Sequence, residues 1–129
     1  MGEKGDCMLR KLRLTVEGTV FHATLANNPL AESISAMCPF ILKYVKRDTE
    51  YFAILPKDAI TAGCKSVMDA HKNGLYYFEE WNALCLLFRE SHTAPYEVYH
   101  VGDFEEDIAT ALEDAGNHLH ITCDLEEGI

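Results

Sequence analysis

Gly74 to Arg89, GLYYFEEWNALCLLFR, constrains this chain more than any other stretch. Two short apolar runs, Leu75–Phe78 and Ala83–Phe88, flank the polar break Glu79-Glu80-Trp81-Asn82. Runs of this length, rich in aromatic and aliphatic residues, are strands joined by a tight loop. In Ala83–Phe88 both alternating sets are apolar: Ala83, Cys85 and Leu87 on one side, Leu84, Leu86 and Phe88 on the other. Such a strand must be covered on both faces, by the core on one and by a helix, loop or ligand on the other.

The flanking sequence supplies further strands. Leu12, Leu14 and Val16 alternate with polar residues, Gly18-Thr19 marks a turn, and Phe21, Ala23 and Leu25 continue inward. Asn28 suits a helix N-cap and Pro29 the first helical position, with Leu30, Ile34 and Met37 at helical spacing and Pro39 ending the element. Phe40–Lys46 and Tyr51–Leu55 read as a strand pair around Arg47-Asp48-Thr49-Glu50. Lys57–Asn73 admits either a short helix near Ser66–His71 or an irregular excursion. Tyr96–Val101 reads as a strand. A helix after it is expected to be capped by Asp103, with Glu106 completing a capping box and Phe104, Ile108, Leu112 and Ala115 on its buried stripe. Asn117–Leu125 closes the series with Leu119, Ile121 and Cys123 inward. Met1–Met8 is expected to be a flexible tail ahead of a single domain at 9–129. About eight short strands and two helices predict a mainly β fold: a closed antiparallel barrel, which leaves no exposed edge, with a helix capping each open end.

Charge narrows the functional classes. The formal net charge is −10, and residues 79–129 carry a net −12 with Arg89 as their only cation. That field repels phosphate backbones and anionic lipid, so neither nucleic acid nor membrane is an expected partner. No apolar run reaches the length of a membrane span. Five cysteines without a Cys-x-x-Cys pair, and a start lacking an apolar segment, predict reduced thiols in a cytoplasmic protein.

The order of elements resembles that of cyclophilins, and three segments agree locally. GTVFHATLANNPLAESISAMC is similar to that family's second strand and first helix, YHVGDFEEDIATALEDAG to its penultimate strand and second helix, and HLHITCDLEEG to its closing strand. GLYYFEEWNALCLLF more narrowly resembles small prokaryotic cyclophilin-like barrels of unassigned function, although Glu79-Glu80 stand where prolines are expected in the turn. The isomerase signature of the family is not carried over. Lys43, in PFILKYVKRDTEYFAILP, stands near the place of the family's arginine, and no Gln-Gly-Gly follows. Lysine offers a flexible point charge where the resemblance requires a planar fork of donors.

Other chemistry is sparse. His118 and His120 share one strand face at a spacing that can hold a metal, and the strand order the resemblance implies puts His22 on a strand next to the first and His100 on one next to that; alternation outward from a solvated strand accounts for the pair, and no metal or cofactor is expected. Cys64-Lys65 near His71 lacks an orienting third group, and the adjacent Ser91-His92 forms no nucleophile–base pattern. No catalytic residue is assigned. The expected function is a binding module that takes a peptide or small molecule in an aromatic-lined groove, with Lys43, Tyr44, Phe52, Tyr76, Trp81 and His92 as candidate groove residues. The alternatives are a peptidyl-prolyl isomerase with an altered site, whose activity is not expected, and an interaction protein that docks a basic partner on its acidic face.

Overall fold

Alternation dictates the first hairpin: β1 (Arg10–Val16) and β2 (Thr19–Leu25) pair antiparallel, with Leu12 opposite Ala23 and Leu14 opposite Phe21. The turn is Glu17-Gly18, one residue earlier than the sequence indicates, and Thr19 already pairs with Val16. The structure, a computed structural model, describes residues 10–127. The expected tail at 1–8 lies outside the described residues.

α1 (Pro29–Ser35) begins as its sequence requires: the Asn28 side chain accepts a hydrogen bond from the Ala31 N–H at 2.8 Å, and Pro29 occupies the first turn. Then follow β3 (Phe40–Arg47), β4 (Glu50–Ile54), the two-residue strands β5 (Ser66–Val67) and β6 (Asp69–Ala70), and β7 (Gly74–Phe78). A single 3-10 turn over Glu79–Trp81 leads into β8 (Ala83–Leu87), β9 (Ser91–His92), β10 (Val98–Phe104), α2 (Ile108–Glu113) and β11 (His118–Glu127). The barrel runs β2-β1-β11-β3-β4-β8-β7-β10 and closes by pairing β10 to β2, giving eight antiparallel strands with two helices. β5 extends the sheet beside β10, and β6 and β9 form a separate ribbon.

Of the two readings of Lys57–Asn73, the irregular excursion holds: no helix forms near Ser66–His71, and the segment contributes only the short strands β5 and β6, which pair with the edges of β10 and β9. One expectation is corrected. The strand expected to stop at Val101 continues to Phe104, and α2 is capped by Asp107, whose carboxylate accepts from the Thr110 N–H and hydroxyl. Barrel closure is the reason: Gly102, Asp103 and Phe104 must be extended to pair with Leu25, Thr24 and Ala23. Glu106 caps nothing and bonds His22 instead.

The interior is filled from every strand of the barrel, and Leu30 and Ile34 of α1 and Ile108 and Leu112 of α2 are fully buried against it. β8 is covered on both faces. Leu84, Leu86 and Phe88 enter the barrel core, while Ala83, Cys85 and Leu87 join Ala70, Tyr76 and Val98 in a second cluster outside it. No helix among the described residues is long and apolar enough to cross a membrane.

His22 ties β2 to the segment after β10. Its backbone N–H donates to Glu106 Oε1 at 2.7 Å, its Nδ1 lies 2.6 Å from Glu106 Oε2, and its Nε2 lies 3.3 Å from Glu126. The hydrogen bond to Glu106 raises the His22 pKa despite some opposing desolvation. A raised histidine pKa stabilises the fold fully below the unfolded value, and that contribution is lost as pH rises through the folded one. The stability advantage of the native protein over Glu106→Gln is therefore expected to shrink in thermal melts as pH rises above the ordinary histidine value of about 6.5. A pH-independent difference would contradict the ion pair.

A second expectation concerns Ile108, which is 0% exposed. Ile108→Asp buries an unpaired carboxylate and should lower the melting temperature by more than about 10 °C or abolish cooperative unfolding. The same charge at exposed Ala111 should cost little.

Candidate functional site

The outer surface of the barrel over β4, β8, β7 and β10 carries a cavity of about 370 Å³. Register builds its floor. Phe52 of β4 lies opposite Cys85 of β8, and both point outward together with Phe78 of β7 and Val98 of β10. Trp81 and Tyr96 form its aromatic rim, and the β3–β4 turn contributes Arg47, Asp48, Thr49 and Glu50. Ser91 and Thr93, from and beside the β6–β9 ribbon, add hydroxyls.

The turn that places Trp81 is locked from below. Asn82 adopts the left-handed conformation at φ 49° and ends the 3-10 turn. Its Oδ1 accepts from the Tyr77 hydroxyl at 2.5 Å, and its Nδ2 donates to the Lys57 carbonyl at 2.9 Å. Trp81 then stands 5.5 Å from the Phe52 ring and 5.3 Å from Phe78, while Phe78 meets Tyr96 edge-on at 6.0 Å. The Arg47 guanidinium lies 4.9 Å from the Trp81 ring centre, a cation–π contact at the cavity mouth. Burial raises the Glu50 carboxyl above its usual range, with Arg47 opposing the shift.

Of the six residues expected in a groove, Phe52 and Trp81 line this cavity. Lys43 is exposed on β3 opposite His120 of β11, nearer the other end of the strand. Tyr44 alternates inward and is wholly buried, its hydroxyl without a protein partner. Tyr76 packs into the outer cluster and hydrogen-bonds His71. His92 is exposed and paired with Asp69 at 2.6 Å, beside the lining residues Ser91 and Thr93. Sequence reasoning missed Arg47, Phe78, Tyr96 and Val98. The outward alternation Lys43, Val45, Arg47 was the available signal for the arginine, but only strand pairing shows which outward residue meets β4.

Cys85 faces the cavity, yet burial drives its thiol pKa well up, and its Sγ has only the Ala83 carbonyl as partner. Glu50, which also lines the cavity, raises that pKa further by its charge, and among the described residues no hydrogen bond joins Cys85 or Ser91 to a base. The whole chain contains no glutamine. His118 and His120 are exposed on β11 and have no third metal-competent side chain in reach among the described residues.

Residues 14–124 match the model of the cyclophilin-like family, and the chain belongs to that family. The solution structure of a hypothetical protein from Archaeoglobus fulgidus superposes with a TM-score of 0.67, at 17% identity, over 96% of this chain and 98% of that one. That likeness is one of fold. No curated protein matches the sequence significantly.

Proposed function

We propose that this protein is a binding module that takes the apolar side chain of a peptide, or a small molecule with a comparable ring, in the outer cavity over β4 and β8. The observation that carries the reading is the aromatic wall of Phe52, Phe78, Trp81 and Tyr96 around about 370 Å³, a volume within the range of ligand pockets. Trp81 is 43% exposed and Tyr96 55%, so a ligand seated there removes substantial apolar surface from water. Arg47 supplies guanidinium donors for a carbonyl or carboxylate, and Ser91 and Thr93 add hydroxyls to the same lining.

Arg47 also favours a second reading, as an isomerase with an altered site. An apolar proline pocket with a fixed guanidinium beside it is what twisting a prolyl amide requires. The chain offers no glutamine to hold the neighbouring carbonyl, and loss of one preorganised donor costs roughly 10²–10³ in rate. Binding without appreciable turnover is the expected outcome.

Trp81 is the only tryptophan, so its emission reports the cavity without ambiguity. Titration with short capped peptides bearing an apolar residue before proline should change that emission saturably. Phe52→Ala and Arg47→Ala should each weaken the affinity about tenfold or more. Exchange NMR on the same peptides should show cis–trans interconversion near the uncatalysed rate. Unchanged emission throughout would overturn the binding reading. Rapid interconversion abolished by Arg47→Ala would establish the isomerase instead.

A further inference from the structure

Beyond the cavity, the same outer face carries a second constellation on β10 and the turn before β7. His71 Nε2 lies 2.6 Å and His100 Nε2 3.1 Å from the same oxygen of Asp103, and the three donor atoms all fall within 4.8 Å of one another. We propose that His71, His100 and Asp103 form a three-ligand site for a divalent transition-metal ion of the Zn²⁺ class.

A backbone irregularity makes the convergence possible. Residues three apart on a regular strand point to opposite faces. The register of β10 against β7 slips between His100 and Gly102, and this bulge brings His100 and Asp103 to the same outer side. His71 reaches them from a turn that only glycine permits at residue 74. A Cβ there would lie 2.9 Å from the His71 carbonyl oxygen and 2.5 Å from the Tyr76 ring.

The rings are also oriented from behind. Tyr76 OH is 3.0 Å from His71 Nδ1 and accepts from the His71 backbone N–H at 3.2 Å. Nε2 is the atom aimed at Asp103, and an Nδ1–H donated to the Tyr76 hydroxyl would be the outer-shell partner of the tautomer that binds metal through Nε2. His100 lies opposite Tyr76 in the strand pairing and is packed between rings, 5.3 Å from Tyr76 and 5.6 Å from His71. A salt-bridged histidine pair alone needs no such scaffold.

The donor set selects the ion. Two imidazoles and one carboxylate suit Zn²⁺, Co²⁺, Ni²⁺ or Fe²⁺ better than Ca²⁺ or Mg²⁺. At bond lengths of about 2.0–2.1 Å, tetrahedral donors stand about 3.3 Å apart, so both histidine–carboxylate distances, now 2.6 and 3.1 Å, have to open slightly and the two imidazole nitrogens, within 4.8 Å of each other, have to settle to that spacing. The side chains of His71 and Asp103 are 53% and 51% exposed, which leaves them room to do so. Three protein ligands leave at least one coordination position open to water or to an anionic group such as a carboxylate. The site stands independently of the cavity, although His100 is two residues along β10 from the cavity-lining Val98.

The test is calorimetric titration of Zn²⁺ into tag-free protein stripped with chelator, paired with visible absorption on Co²⁺ addition. One equivalent should bind, and Co²⁺ should give the intense d–d bands of a low-coordinate site. His71→Ala and Asp103→Asn, both at exposed positions, should each weaken binding by more than the roughly 10–100-fold that loss of an outer-shell partner costs. Tyr76→Phe, which keeps the packing and removes the hydroxyl, should weaken it about tenfold. Unchanged circular dichroism of the metal-free variants establishes that they fold. His118→Ala/His120→Ala should bind as the native protein does. Absence of stoichiometric binding, binding indifferent to His71→Ala and Asp103→Asn, or binding lost with His118 and His120 would each overturn the proposal.

Discussion

Closure of the barrel at β10 and β2 depends on the absence of a side chain at residue 102. A Cβ on Gly102 would lie 2.5 Å from the Thr24 carbonyl oxygen and 3.3 Å from the Leu25 Cα, so the two strands meet at this distance only because the residue is glycine. Three residue pairs make the closing ladder, and without them β2 and β10 would be free edges. The same strand slips register by one residue just before the closure. A strand that must pair with β7 on one side and β2 on the other absorbs the mismatch as a bulge, and the bulge re-aims His100 and Asp103. Architecture and candidate metal chemistry therefore share one cause.

The second organising constraint is that β8 is apolar on both faces. A barrel wall usually separates a core from water; here it separates a core from a second apolar cluster that includes Tyr76, Cys85 and Val98. That cluster is partly roofed by the β6–β9 ribbon, which contributes Ala70, and partly left open as the cavity beside Phe52 and Phe78. The open part is rimmed by charge from the β3–β4 turn. An apolar floor with a polar rim is the arrangement by which pockets combine affinity with orientation.

Local signals in the sequence were sufficient where local physics decides the outcome. The double apolar alternation of Ala83–Phe88 announced a strand covered twice, and Asn28-Pro29 announced α1 at the residue where it begins. They failed where pairing partners decide. Asp103 and Glu106 form a sound capping box on paper, but closure against β2 holds Asp103 extended, and Glu106 is drawn to His22. Lys43 and Arg47 are equally outward on β3; only the pairing of Arg47 with Glu50, and of Lys43 with His120, puts one at the cavity and the other away from it. The convergence of His71 with Asp103, 32 residues apart, had no local signature at all, since it rests on a bulge and a tight turn.

On the binding function proposed above, the outer face of β4, β8, β7 and β10 is where the protein meets its ligands. Amide proton–nitrogen correlation spectra recorded with increasing phenol, a small aromatic probe with no preference built in, test it most directly. Saturable shifts are expected on Phe52, Phe78, Cys85 and Val98 and on the Trp81 indole, with the amides of β1 and β11 unmoved. Shifts centred on the outer face of β1 and β11, or spread evenly over the barrel, would contradict it.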